Sequence, residues 1–191
     1  MSRVRIATLA GSLADPGEFL VRLYSLMRPG VHTELWLDGY RISAGNDTYG
    51  ANGESLGCVN VWWVGDRLVQ EDYASGWHVV DVPISDAPKA WEFIRAAVDA
   101  RVSYGVSVGE CAFPKFIIDA FDSDLDCCRP ETWNRLFCSQ FVLLFLRWCA
   151  VCKILMVPDE RAIVLWSVNS RGCLPSRLQA IADSVLSGTT L

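Results

Sequence analysis

The chain has 191 residues and a formal net charge of −5, with 51% hydrophobic and 20% charged residues. That length suits a single domain over residues 1–191, large enough to bury one substantial core. The acidic balance, with Lys and Arg scattered rather than clustered, excludes a generic nucleic-acid or anionic-lipid binder, which presents a basic face.

Arg3 and Arg5 precede an apolar run over residues 6–14 that imitates a signal peptide. Gly11 and the alternation of Val4 with Ile6 favour a first strand over residues 4–9 instead. Asp15-Pro16-Gly17 is a turn, and Phe19, Leu20, Leu23 and Met27 give residues 18–27 a helical pattern that Arg28-Pro29-Gly30 ends. A β-hairpin follows, with strands over residues 31–37 and 40–44 joined by Asp38-Gly39. Residues 46–57 read as a polar, Gly-rich loop, and two more strands are expected over residues 59–64 and 77–83.

The period then changes. Trp91, Ile94, Ala97 and Val98 mark an amphipathic helix over residues 87–102. Residues 104–129 mix loop with a short helix around 115–121, placed to shape the mouth of a site or to act as a lid. Phe141, Leu144, Phe145, Trp148 and Cys152 carry a helix over residues 138–152. A last strand over residues 161–168 and a last helix over residues 175–186 complete the chain. Strands first and main helices later describe an α+β fold with a mostly antiparallel sheet. No apolar run reaches the roughly 18 uncharged residues of a spanning helix, so no transmembrane segment is expected.

Among the eight cysteines, Cys127 and Cys128 are adjacent, while Cys138, Cys149 and Cys152 fall in the apolar helix. This spacing reads as reduced thiols in a cytoplasmic, reducing compartment rather than as a disulfide scaffold. Cys149-Ala150-Val151-Cys152, with the Cys127–Cys128 pair, offers a metal or redox reading. Zinc knuckles sit in loops and redox pairs begin helices, so packing is the expectation here, with no metal and no cofactor. Gly45, Gly50, Gly53 and Gly57 form no phosphate cradle between strand and helix, and the eight tryptophans read as core filling.

A thiol is a useful nucleophile at neutral pH only when its thiolate is stabilised. Cys138 is the cysteine expected at the first turn of a long helix, where the macrodipole and free amides favour negative charge. Those amides, Ser139 among them, also suit a developing oxyanion. The Ser139 and Gln140 side chains are expected at the mouth of the site. There are two histidines. His32 shares a strand face with Glu34, which is placed to orient its ring. His78 reads as structural or exposed, with no polar partner.

Four motifs come in order: His32-Thr33-Glu34-Leu35-Trp36-Leu37-Asp38-Gly39, then Trp77-x-x-Val80-Asp81-Val82-Pro83, Ser103-Tyr104-Gly105, and Phe137-Cys138-Ser139-Gln140-Phe141-Val142. Over roughly residues 30 to 180 the chain resembles the circularly permuted NlpC-type papain-like superfamily. That group includes YiiX-like and lecithin:retinol acyltransferase-like proteins of bacteria, phages and large DNA viruses. Cys173-Leu174-Pro175-Ser176-x-Leu178 is similar to its Pro-containing segment after the catalytic helix.

The resemblance implies a permuted papain-like fold, with the sheet packed on a helix bearing the nucleophilic Cys at its N-terminus. Carried over, Cys138 is the nucleophile and His32 the base. The implied activity is a cysteine hydrolase acting on peptide, amide or lipid-ester substrates. The alternatives are an inactive binding or virion-structural module and a lipid acyltransferase, and a viral chain would work in the host cell or the virion. Two positions depart from the pattern: Gln140 stands where an acidic residue is common, and Ser43 where the acyltransferase branch has a second His. Glu34 is therefore the first choice for the third role, with Asp47 and Ser43 behind it.

Overall fold

A computed structural model describes residues 2–10, 32–65, 76–105 and 124–187. The helix read over residues 18–27 and the short helix around 115–121 lie outside the described residues. Five strands, β1 (Ser2–Leu9), β2 (His32–Leu37), β3 (Tyr40–Tyr49), β4 (Ser55–Trp63) and β5 (Trp77–Ile84), form one antiparallel sheet in the order β4-β3-β2-β1-β5. Helices α1 (Ala87–Asp99), α2 (Cys138–Val151), α3 (Asp159–Ala162) and α4 (Pro175–Ser187) follow, and two short strands, β6 (Ser103–Tyr104) and β7 (Arg135–Leu136), pair in parallel. The fold class is α+β, and none of the described helices is long and apolar enough to cross a membrane.

Local chemistry sets the boundaries. Asp38 and Gly39 both take positive φ, 50° and 79°, as a two-residue hairpin turn with the native twist demands. That turn fixes the register of Leu37 against Tyr40, Trp36 against Arg41 and Leu35 against Ile42. Asp86 caps α1 by accepting the Lys89 N–H at 2.9 Å, with proline in the first turn, where its missing N–H costs nothing. Phe93 of α1 then packs against Trp133, Phe141, Phe145 and Trp148, with ring centroids 5.6 to 5.9 Å apart. This aromatic knot joins α1 to α2. Val4, Ile6, Leu35, Leu37 and Ile42 from the sheet belong to the same buried cluster as Leu143, Leu144 and Ile181 from the helices.

Two expectations are corrected. The polar stretch over residues 46–57 is mostly strand: β3 continues to Tyr49 through a register shift between Ala44 and Thr48, and β4 begins at Ser55. The turn itself is short, closed by Gly50 N–H to Glu54 O at 2.9 Å. Glycines there mark a bulge and a turn rather than a loop. The strand expected over residues 161–168 is instead α3 followed by a 3-10 turn at Ile163–Trp166. Its carbonyls have another partner, because the buried Arg147 guanidinium donates to Leu165 O at 2.9 Å and to Val168 O at 2.6 Å.

Gly57 shows how tightly β4 meets the α1–β6 connection. Its φ is +84°, and a Cβ there would lie 2.7 Å from the Arg101 backbone. Gly53, at φ +78°, has nothing within 4 Å of such an atom. Gly57→Ala is expected to cost well over about 1 kcal/mol in urea unfolding, because it adds a backbone clash to the φ strain that Gly53→Ala incurs alone. Equal losses for the two variants would contradict this packing.

Candidate active site

Strand alternation places His32, Glu34 and Trp36 on one face of β2. Arg41 and Ser43, on the returning strand, reach the same face. Glu34 is the centre of this group. Its Oε2 accepts from Trp36 Nε1 at 3.1 Å and from Arg41 Nε at 2.7 Å, and its Oε1 accepts from Arg41 Nη2 at 2.8 Å. The same Oε1 lies 3.1 Å from His32 Nε2. A carboxylate only accepts, so Nε2 carries the proton and donates to Glu34. Ser43 Oγ donates to Ala44 O at 3.2 Å and lies 3.1 Å from the same Nε2 as a further acceptor. Trp77 stands edge-on to the imidazole, with centroids 6.2 Å apart, and Arg41 lies over the Trp77 ring at 5.5 Å.

With Nε2 turned toward Glu34 and Ser43, Nδ1 is the ring nitrogen left for a further partner. The Cys138 thiol lies near enough to His32 and to the backbone amides of Thr33 and Ser139 for each to shift its ionisation. Thr33 has its N–H to give because the β2–β3 pairing ends at Leu35 and Ile42. The strands part there, and the start of α2 fills the gap.

The first turn of α2 is held from two sides. The Gln140 carboxamide accepts the Phe137 N–H at 2.9 Å and donates to Arg171 O at 3.0 Å. The Ser139 hydroxyl donates to Cys173 O. Upstream, Asp47 Oδ1 accepts the Tyr104 N–H at 2.6 Å, and Gly105 N–H donates to Leu136 O at 2.8 Å, one residue before the Phe137 cap. Asp47 thus ties β3 to the strands that deliver α2.

These contacts move charge in one direction. Burial resists ionisation of Glu34, but the hydrogen bonds and charges of His32 and Arg41 prevail and hold its pKa at about 2. Burial likewise opposes the imidazolium, and the contacts with Cys138 and Glu34 outweigh it, lifting His32 to about 10. Burial also opposes the Cys138 thiolate, yet the His32 bond and charge with the two backbone amides carry its pKa below the ordinary thiol value. Burial pushes Cys58, Cys127 and Cys173 up to about 12, and Cys149 and Cys152 upward too. Cys138 moves the opposite way.

The structure therefore brings Cys138, His32, Glu34 and Ser43 together. Asp47 is elsewhere, spent on Tyr104. The Ser139 and Gln140 side chains do not open on a site mouth: both are buried and donate to the carbonyls of Cys173 and Arg171, which would otherwise lack these partners. His78 is exposed as expected but has a partner, Asp183, at 3.2 Å. Arg41, Trp36 and Trp77 were missed from sequence. Counting out from the two-residue turn puts Arg41 opposite Trp36 and beside Glu34, and that count was the available signal. All seven described cysteines are free. Cys138 is 4% exposed, and the His32 side chain, at 29%, is the more open member of the pair. No protein-family model, curated protein or solved structure matches this chain.

Glu34 has a folded pKa of about 2 against an ordinary 4.5, so its contribution to stability is complete above 4.5 and vanishes as pH falls toward 2. Chemical unfolding from pH 6 down to 2 is expected to show a loss on the order of 3 kcal/mol across that window, absent in Glu34→Gln. A Glu34→Gln protein with the wild-type acid profile would contradict the pairing.

Proposed function

We propose that the chain is a cysteine hydrolase of the permuted papain-like type, with Cys138 as nucleophile, His32 as acid–base and Glu34 as the residue that orients His32. The observation that supports this most is the Cys138–His32–Glu34 series, which pairs a thiol of lowered pKa with an imidazolium fixed by a buried carboxylate. Neutral cysteine proteolysis and amide hydrolysis use such a pair. The order of a His-bearing early strand and a later helix starting at the cysteine agrees with the permuted arrangement.

The Cys138 thiolate attacks the carbonyl carbon of an amide or ester, and the carbonyl electrons move to oxygen. The first-turn amides of α2, that of Ser139 among them, suit that oxyanion. Collapse expels the amine or alcohol, which takes the His32 proton as it leaves, and a thioester remains on Cys138. Water then attacks the thioester while His32 accepts its proton, and the carboxylic acid departs as the thiolate returns. A lipid or amine acceptor in place of water makes the same site an acyltransferase. Trp77, edge-on to the imidazole, supplies an apolar wall for the acyl or leaving group. A second reading, a papain-like binding or virion-structural module without turnover, draws on the 4% exposure of Cys138.

Activity-based profiling with electrophilic acyl and peptidyl probes separates the two. A covalent adduct localised to Cys138 by mass spectrometry is expected, together with hydrolysis of the corresponding substrates. His32→Ala is expected to slow adduct formation by about 10² to 10⁴, and Cys138→Ala to abolish it while leaving the melting temperature within a few degrees. Labelling that ignores Cys138, or a Cys138→Ala chain that no longer folds, would turn the reading toward a packing role.

A further inference from the structure

The far end of α2 gathers a second set of thiols. Fourteen helical residues separate the ends, roughly 20 Å at 1.5 Å per residue, so this corner lies apart from Cys138. Cys127 belongs to the same buried cluster as Cys149. The donor atoms of Asp126, Cys127 and Cys128 all lie within 4.8 Å of one another, and the two sulfurs are 3.9 Å apart. Two thiolates on one tetrahedral zinc at about 2.3 Å each stand about 3.8 Å apart. The pair is already spaced as one edge of that tetrahedron.

Hydrogen bonds on Asp126 hold the loop in this shape. Asp126 O accepts the Trp133 indole N–H at 2.8 Å and the Arg129 N–H at 3.2 Å. Asp126 Oδ1 accepts the Cys128 N–H at 2.8 Å, which closes a tight turn around Cys127. Cys127 is buried in the core, whereas Asp126 and Cys128 are exposed, so an incoming ion meets one fixed sulfur and two reachable donors. Cys149 and Cys152 at the close of α2 lie near enough to interact electrostatically with the pair. A helix C-terminus also favours positive charge.

We propose that Asp126, Cys127 and Cys128 form a binding site for a thiophilic divalent cation of the zinc class. The metal forms one bond to each sulfur, each thiol gives its proton to solvent, and the Asp126 carboxylate with a water completes four-coordination. The ligand pair is Cys127–Cys128 rather than Cys149-x-x-Cys152, whose members end a helix packed in the core. The inference does not rest on catalysis at Cys138.

Cadmium titration of the full chain carrying Cys138→Ala, which removes the other activated thiol, tests the site. Thiolate-to-cadmium charge-transfer absorbance is expected to saturate at one ion per chain, with a rise in melting temperature. Adding Cys128→Ser, an exposed position that leaves the fold intact by circular dichroism, is expected to weaken binding at least about 100-fold, beyond what loss of an outer-shell partner costs. Asp126→Asn is expected to weaken it about tenfold. No saturable band, or unchanged affinity in Cys128→Ser, would overturn the proposal.

Discussion

Glu34 is a carboxylate taken out of water, and the site is arranged around keeping it charged. An isolated buried carboxylate is costly enough that it would protonate or the strand would open. Two cations prevent this. Arg41 meets both oxygens in a bidentate pair at 2.7 and 2.8 Å, and His32 meets one of them at 3.1 Å. Arg41 reaches Glu34 because the Asp38-Gly39 turn sets its register. His32 is held in one orientation because Glu34 can only accept, so Nε2 donates to it. The positive charge of that ring is favoured by Glu34 on one side and by Cys138 on the other. Removing Glu34 therefore disturbs the ring's orientation and its charge together. Removing Arg41 leaves the carboxylate with His32 as its sole cationic partner among the described contacts.

The two ends of α2 show what position does to a thiol. At the N-terminus, amides and an imidazolium lower the Cys138 pKa despite burial. Near the C-terminus burial raises Cys149 instead. Same helix, same residue type, opposite result. The difference lies in what surrounds each sulfur. The 163–173 segment keeps this geometry fixed by running along α2, tied by Arg147 at one end and by Ser139 and Gln140 at the other. Asp124 joins the clamp by accepting from Arg147 at 2.8 Å and from Ser170 N–H at 2.9 Å.

The sequence carried the hairpin clearly, because Asp38-Gly39 between alternating apolar residues has few other uses. It also carried the start of α2, where an apolar helical period begins at Cys138, and the shared face of His32 and Glu34, which follows from a period of two. What it hid was mostly tertiary. Gln140 looks like a polar group free to face a substrate, and nothing local reveals that the Phe137 amide and the Arg171 carbonyl consume it. Asp47 looks like a loop acid, but the bulge that extends β3 turns it toward Tyr104. Arg161 to Val168 has strand-like composition, and only the distant Arg147 explains why its carbonyls turn away from a ladder. Arg41 is within reach of register counting from the Asp38-Gly39 turn, although an Arg two residues past a turn resembles solvated surface.

The central claim is that Cys138 rests as a thiolate because His32, charged and fixed by Glu34, faces it. Titrating the thiolate ultraviolet absorbance of the wild type against Cys138→Ala tests this most directly, with His32→Ala alongside. The account expects a difference signal that persists well below the ordinary thiol range and that His32→Ala shifts to higher pH, where burial alone would place it. A Cys138 that ionises only at or above the ordinary thiol pKa, or one indifferent to His32, would contradict it.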